Sequence, residues 1–553
     1  MLQISVKYPL TAAWFIAMPA LLLLPFHSQG QVQTPLGVAQ GQLPQFQSMA
    51  GNNPAMGGGT MGAGWRVLPR LSLVETYSDN VRLQQNGQQD LVTQINPGLI
   101  VNGVGRRYTV NIDYTMNNLI YANLSNFNRI RHQLNAMGTA ELVKDFFFVD
   151  GRAIITQQNA NLFGAQGINN VNVTGNRADV HIYNISPYIR HRFQDLATTE
   201  LRYTRNMVSS SSSALFNSQA DGFQAGINSG TAFSTLQWGL NYSHQAVHYD
   251  RSNRTVEFER SIASLRYMIT PHFGLTGTGG YERNTFISIR GSPSSPTWTA
   301  GFIWEPSPRT SVAFNAGQRF YGDTYSALAS HRTRMTAWDL SYDENITTFN
   351  QQAGLGGGST ISAMGSSLSQ LLSAQNPGMS SDVIQQATNS LLGLGLQGQF
   401  FDPNNFFSNR LFLQKRLMAS VAMNGTRNTV VLRGFDMRRK AFSPEGVDAG
   451  LIGIGNTSLL NNTRQSGFNA LWTYRISQLT RASIDFTYTR FAFLTVDRVD
   501  NLGLARISLS REFPQIMPNF VGMLQYRHNL RDSSQPGLNY RENAVVGTLS
   551  MSF

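Results

Sequence analysis

Residues 108–117 read Tyr-Thr-Val-Asn-Ile-Asp-Tyr-Thr-Met-Asn, and their order decides the fold. Tyr108, Val110, Ile112, Tyr114 and Met116 take every second position. Thr109, Asn111, Asp113, Thr115 and Asn117 fill the places between. Successive side chains of a β-strand point to opposite faces, so this segment makes a ribbon that is apolar on one side and hydrated on the other.

The pattern recurs along the chain. Leu236, Trp238, Leu240 and Tyr242 alternate with Thr235, Gln237, Asn241 and Ser243. Phe468, Ala470, Trp472 and Tyr474 alternate with Asn469, Thr473 and Arg475, and Ala482, Ile484, Phe486 and Tyr488 with Ser483, Asp485, Thr487 and Thr489. The apolar faces often end in Tyr or Trp, as at the girdle where a barrel meets lipid headgroups. One such segment would suit a soluble sandwich equally well. More than a dozen in series, with no core helix between them, indicate one large antiparallel barrel. The polar face then supplies lumen-lining candidates: Asn111, Asp113, Gln237, Asn241, Asp339, Asn469, Arg475 and Asp485.

Two segments break phase. In 502–509, Leu502 and Leu504 fall on one face but Ile507 and Leu509 on the other; 428–436 is similarly ambiguous. Either a β-bulge or an inner face packed against a plug produces such a switch.

Strand-like segments run from 64–76 to 540–553 and count to about 22, within a range of roughly 18–24, an even number suiting a single-chain bacterial barrel. Short links near 103–105, 144, 194–195, 305–308, 332–334 and 425–427 are expected as periplasmic turns. Longer ones near 77–89, 158–178, 348–408 and 441–463 are expected outside the cell. The 348–408 segment opens on Gly354, Gly356, Gly357 and Gly358 and carries two helical patches, one with Leu368, Leu371 and Leu372, the other with Val383, Ile384, Ala387 and Leu391 after Ser380-Ser381. It is expected to act as a constriction or lid, or else as an ordinary surface insertion.

Composition agrees. Charged residues make up 13% and hydrophobic residues 41%, with mean hydropathy −0.21. A soluble enzyme carries about 25% charge. No cysteine is present, which removes disulfide and thiolate chemistry. The net charge of +12 is carried almost wholly by arginine, since lysine occurs only at Lys7, Lys144, Lys415 and Lys440. A basic lumen or rim would attract anionic polysaccharide or lipid A phosphates. Because the arginines are spread along the chain, plain solvation of walls and loops is the simpler reading, and nucleic-acid binding finds no support.

Residues 1–30 read as a signal peptide, with Lys7, an apolar run from Ala12 to Phe26 and the small-residue site Ser28-Gln29-Gly30. Residues 31–63 read as a disordered, low-complexity periplasmic leader. Beyond Phe26 no apolar run reaches the ~18 residues of a helical span. A membrane location therefore requires a closed barrel, which alone satisfies every strand's backbone groups in lipid.

The final strand places Val545, Gly547, Leu549, Met551 and Phe553 on one face. A terminal aromatic on an alternating strand resembles the signal read by the barrel-assembly machinery. Near the start, Glu75-Thr76-Tyr77-Ser78-Asp79-Asn80-Val81 follows Pro69-Arg70-Leu71-Ser72-Leu73 and resembles the opening of the PEP-CTERM system-associated outer-membrane protein family. Ser330-His331-Arg332-Thr333-Arg334 with Trp338-Asp339-Leu340-Ser341-Tyr342, and Gly425-Thr426-Arg427-Asn428-Thr429-Val430, are similar to it as well. The resemblance covers residues 64–553. It implies a Gram-negative host with an exosortase system, a link to exopolysaccharide production, and outer-membrane lipid and lipopolysaccharide as surroundings.

The search for chemistry is negative. Zinc-protease, nucleophile-elbow, P-loop and dinucleotide motifs are absent in their required contexts. His244 and His248 lie on a strand and share a face only loosely. A calcium site at Asp79 and Asn80 lacks further carboxylates. No cofactor or metal is expected. The leading reading is a pore or export barrel. A structural or surface-display barrel whose loops bind polymer comes second, and a barrel enzyme third.

Overall fold

The computed structural model describes residues 64–160, 163–211, 217–250, 254–286, 288, 292–347, 411–442, 462–517 and 519–553. The expected signal peptide, leader and 348–408 insertion lie outside them.

Among the described residues stand 22 strands. They are β1 (Gly64–Ser78), β2 (Asp90–Val104), β3 (Tyr108–Tyr121), β4 (Arg129–Val143), β5 (Phe147–Asn159), β6 (Arg177–Phe193), β7 (Ala197–Ser210) and β8 (Ser218–Ser229). Next come β9 (Leu236–Tyr249), β10 (Arg254–Thr270), β11 (Phe273–Asn284), β12 (Ser295–Ser307), β13 (Thr310–Arg319), β14 (Gly322–Arg332) and β15 (Thr336–Thr347). The series ends with β16 (Phe412–Asn424), β17 (Asn428–Ala441), β18 (Asn462–Arg475), β19 (Thr480–Phe493), β20 (Arg498–Glu512), β21 (Val521–Ser533) and β22 (Tyr540–Ser552). Every segment expected from alternation overlaps one of these strands.

Each strand pairs antiparallel with the next, and β1 pairs with β22 from Arg70↔Ser552 to Ser78↔Ala544. No edge is left. Antiparallel strands about 4.8 Å apart and tilted about 40° make a 22-strand wall roughly 40 Å across.

The two faces follow the sequence pattern. On the outside, Leu240, Leu265, Ile507 and Leu524 are each more than half exposed, a state that lipid turns into burial. Five of the seven tryptophans, Trp65, Trp238, Trp304, Trp338 and Trp472, belong to the outward set near one end of the barrel. That end also carries Gly64, Phe553 and the links at 105–107, 144–146, 194–196 and 425–427; we call it the turn end. An amphipathic indole is stable where hydrocarbon meets headgroup, so this group forms a girdle.

The opposite, loop end carries the links at 79–89, 122–128 and 160–176. Not every link there is long, however. Phe320 and Tyr321 alone join β13 to β14, and Gly322, at φ +110°, takes the left-handed backbone this tight reversal demands.

The inner face changes character along the axis. On β3 its turn-end stretch is polar and open, as at Asn111, whereas on β15–β18 Ala337, Ala422, Val431 and Leu471 are buried near that end. Toward the loop end it becomes apolar: Leu119 and Tyr121 on β3, Val256 and Phe258 on β10, Phe491 and Phe493 on β19, all buried. This explains the phase break in 502–509. β20 pairs with β19 and β21 without a register shift, so there is no bulge. Leu502 and Leu504 face inward into a packed core while Ile507 and Leu509 face outward. In 428–436 the inward set is Val431, Arg433 and Phe435, again without a shift.

Closure is directly testable, because Leu73 and Leu549 are Cα partners across the seam and the chain has no native cysteine. Leu73→Cys/Leu549→Cys is expected to oxidise to an intramolecular disulfide in the folded protein, read on a non-reducing gel. Leu73→Cys/Leu524→Cys, on β1 and β21, should stay reduced, because non-adjacent strands hold Cα atoms beyond the ~7 Å a disulfide spans. An uncrosslinked first pair in folded protein contradicts closure.

Candidate functional site in the lumen

Where the expected surface loop 158–178 begins, the chain turns inward instead. Residues 163–176 connect β5 to β6 and pack against the inner wall at the loop end, with Ile168, Val171 and Asn172 at most 2% exposed. The local sequence explains this. Phe163, Ile168, Val171 and Val173 are too apolar to stand in water, and the intervening asparagines bond the backbone back on itself, as Asn172 Oδ1 does by accepting from Ile168 N–H.

Two apolar contacts hold the segment. Val171 and Val173 pack with Val81, Val92, Leu119, Tyr121 and Leu124 around β1–β3. Phe163 and Ile168 belong to a cluster with Phe491, Phe493, Leu502 and Leu504 on β19 and β20. Counted round the wall through the seam, β20 stands seven strands from β5, so the segment cuts across part of the lumen. Burying each such side chain contributes about 1.5–3 kcal/mol.

Polar contacts fix its path. The Asp500 carboxylate accepts from Arg498 at 2.7 Å, from Arg531 at 2.7 Å and from the Ser533 hydroxyl. Sharing that one carboxylate, the same guanidiniums donate onward to the segment's backbone: Arg531 to Gly164 O at 2.7 Å and Phe163 O at 2.9 Å, Arg498 to Phe163 O at 3.2 Å. These carbonyls would otherwise be buried acceptors without partners. Glu542 forms the second anchor, accepting from Arg527 at 2.8 Å, Ser78 at 2.8 Å and Asn172 at 2.9 Å. On the opposite flank Tyr121 donates to Val171 O and Arg129 to Asn170 O. The result is a segment bolted to the inner wall at several points, from β20 through the seam to β4.

Elsewhere the inner wall uses its arginines to stitch strands together. Arg202 reaches over β6 to Asp150 at 2.8 Å, Glu282 receives Arg260 and Arg319, and Arg506 meets Asp485 at 2.7 Å. Each of these arginines has a carboxylate beside it, Glu282 serving two, so part of the chain's positive charge is spent within the wall.

The eight lumen candidates fall in separate sectors of the wall. Asp113 accepts from Arg70, Asn469 donates to Thr487 at 2.9 Å, and Asp485 is closed off by Arg506. Asp339 and Asn469 flank one recess with Arg433. Gln237 and Asn241 sit on β9, Asn111 on β3, and Arg475 at the turn end of β18. They do not converge on one site. The anchors Arg498, Asp500, Arg527, Arg531 and Glu542 were not singled out by the sequence; the one signal toward them was the phase break beside Asp500.

Asp79 and Asn80 serve the seam. Asp79 accepts from Asn543 N–H and Nδ2, both at 2.7 Å, while the Asn80 amide donates to Gln84 O and Arg541 O. His244 lies 3.8 Å from Glu257. Among the described residues no group of three His, Asp or Glu could hold a metal.

A closed 22-strand antiparallel wall with an apolar exterior defines the class of transmembrane β-barrels of the outer-membrane type. No family model matches the chain, and no curated protein matches its sequence. Solved structures match it at low similarity. The FrpB iron transporter of Neisseria meningitidis, as apoprotein, is 11% identical with a TM-score of 0.47, the match covering 89% of this chain and 82% of that one. OccAB4 of Acinetobacter baumannii is 7% identical with a TM-score of 0.32, covering 88% and 98%. OpdK of Pseudomonas aeruginosa, solved with vanillate, is 8% identical with a TM-score of 0.32, covering 88% and 99%.

Removing the shared carboxylate tests the clamp. Asp500→Ala leaves Arg498 and Arg531 buried without their counter-charge, a change that costs about 3–5 kcal/mol. A loss of that size in urea unfolding, with new protease cleavage within 163–176, is expected; an unchanged unfolding curve and cleavage pattern would show that Asp500 does not hold the segment.

Proposed function

We propose that the chain is a Gram-negative outer-membrane conduit, constricted at its external end, that serves exopolysaccharide export beside a PEP-CTERM surface-protein system. The observation carrying this reading is the wide closed barrel with residues 163–176 clamped to its inner wall at the loop end. A wall of 22 strands leaves a lumen too wide for its own side chains to fill, so it must hold water or a plug. Short turns mark the periplasmic end by the general rule for such barrels. The polysaccharide link rests on the family resemblance of residues 75–81, 330–342 and 425–430.

The same reading assigns Phe553, exposed on the outer face with its backbone N–H on Pro69 O at 2.9 Å, as the mark read by the assembly machinery. Lipid and lipopolysaccharide then surround the outer wall, and anionic polysaccharide is the candidate cargo.

Planar-bilayer conductance checks the conduit. The wild-type barrel should conduct little, and deletion of residues 165–174 should open large, long-lived channels. Loss of secreted polysaccharide on deletion of the gene should accompany this. A shortened, correctly folded barrel that still fails to conduct contradicts the conduit and favours an anchoring barrel whose loops bind polymer.

A further inference from the structure

The outer wall near the loop end carries a charge pattern that neither barrel closure nor the lumen clamp uses. On β17 the buried side chains Val431, Arg433, Phe435, Met437 and Arg439 alternate with an outward set that includes Leu432, Arg438 and Lys440. Arg438 and Lys440 are exposed and stand above Leu432 toward the loop end. Arg464 on β18, its side chain 58% exposed, shares its face with Phe468 and Trp472. Arg490 on β19 shares its face with Ile484 and Phe486.

Register brings these cations together. Arg438 stands directly opposite Lys415 on one side and Arg464 on the other, and Arg490 stands opposite Ser466, one outward position along β18 from Arg464. Like charges directly opposed across strands destabilise a sheet unless an anion neutralises them. Two carboxylates share the patch, and both are engaged: Asp436 with Arg464 at 2.8 Å and Glu344 with Lys415 at 2.9 Å. Arg438, Lys440 and Arg490 have no ion pair with any described residue. The outward wall of β9 and β10 at the same end is acidic by contrast, with Glu257 and Glu259. Arg283 on β11 and Arg541 on β22 are outward cations at the same end too, but Arg283 stands opposite Glu259 and Arg541 opposite Leu530, so cations opposed to cations cluster on β16–β19.

We propose that the outer wall of β16–β19 at the loop end binds the phosphate groups of lipid A through Arg438, Lys440 and Arg490, with Arg464 flanking. Residues two apart on a strand lie about 6.5–7 Å from one another and opposed residues about 5 Å. Several cationic heads thus reach a single phosphate, and a guanidinium can bind it through two parallel N–H donors. Leu417, Leu432 and Phe468 lie immediately toward the turn end, exposed, where the acyl chains of the same molecule would run. A lipid satisfies both halves of the surface, whereas a free anion satisfies one. This site shares with the proposed conduit the assignment of the loop end to the cell exterior, but it requires no conduction.

The test uses the purified full chain in detergent and native mass spectrometry with diphosphoryl lipid A. Wild-type protein should retain bound lipid A, and Arg438→Gln/Lys440→Gln/Arg490→Gln should weaken retention at least tenfold while keeping heat-modifiable migration. Arg438→Lys/Arg490→Lys should keep most of it, and Arg205→Gln, on the outer wall of β7, all of it. Dephosphorylated lipid A should bind the wild type as weakly as diphosphoryl lipid A binds the triple variant. Equal retention by the triple variant, or equal binding of dephosphorylated lipid A, overturns the proposal. So does full displacement by millimolar inorganic phosphate, which would indicate a simple anion site. A barrel that binds lipid A but never conducts would leave this site standing and sink the conduit alone.

Discussion

Everything in this structure depends on the pairing of β1 with β22. Lipid offers no hydrogen bonds, so an open edge would strand a row of N–H and C=O groups, each costing several kcal/mol. The seam removes that cost, and the loop-end stretch from Tyr77 to Asn80 reinforces it. Ser78 donates to Glu542, Asp79 takes two donors from Asn543, and Asn80 donates to Arg541 O. Residues that attract attention as a motif without chemistry thus act as the fastening between the first and last strands.

Glu542 links closure to the lumen, because the same carboxylate that takes Ser78 also takes Asn172 of the inward segment and Arg527 of β21. Asp500 repeats the arrangement on β20 with two arginines whose remaining donors reach backbone carbonyls. Buried charge is tolerable only when it is paired and its other hydrogen-bonding capacity is used. At the loop end Asp500 and Glu542 supply the pairing, the carbonyls of Phe163 and Gly164 take up several of the remaining donors, and the apolar clusters add cohesion.

Alternation made the wall legible in the sequence because backbone geometry fixes a period of two whatever the tertiary context. The faces of 108–117, 468–475 and 482–489 could be read directly. Leu502 and Leu504 were legible as an anomaly with two explanations, and only register, which a single strand does not encode, separates a bulge from a packed inner face. The inward course of residues 163–176 was not legible. Its short apolar positions resemble those of any surface loop, and its partners Arg498, Arg531 and Glu542 lie more than three hundred residues along the chain. The arginines carried the same ambiguity: composition reports their number, while their pairing with Asp150, Glu282, Asp485 and Asp500 is a property of strand neighbours.

A transmembrane wall of this kind must meet lipid with one face and water with the other. Single-cysteine substitutions across residues 108–113, in barrels reconstituted into lipid nanodiscs, measure this most directly. A water-soluble maleimide should label Cys at 109, 111 and 113 quickly. A lipid-borne spin label should quench a fluorophore attached at 108, 110 and 112. A strict period of two, opposite in phase for the two probes, is the predicted result. Equal labelling at all six positions with no quenching at any would contradict the transmembrane barrel.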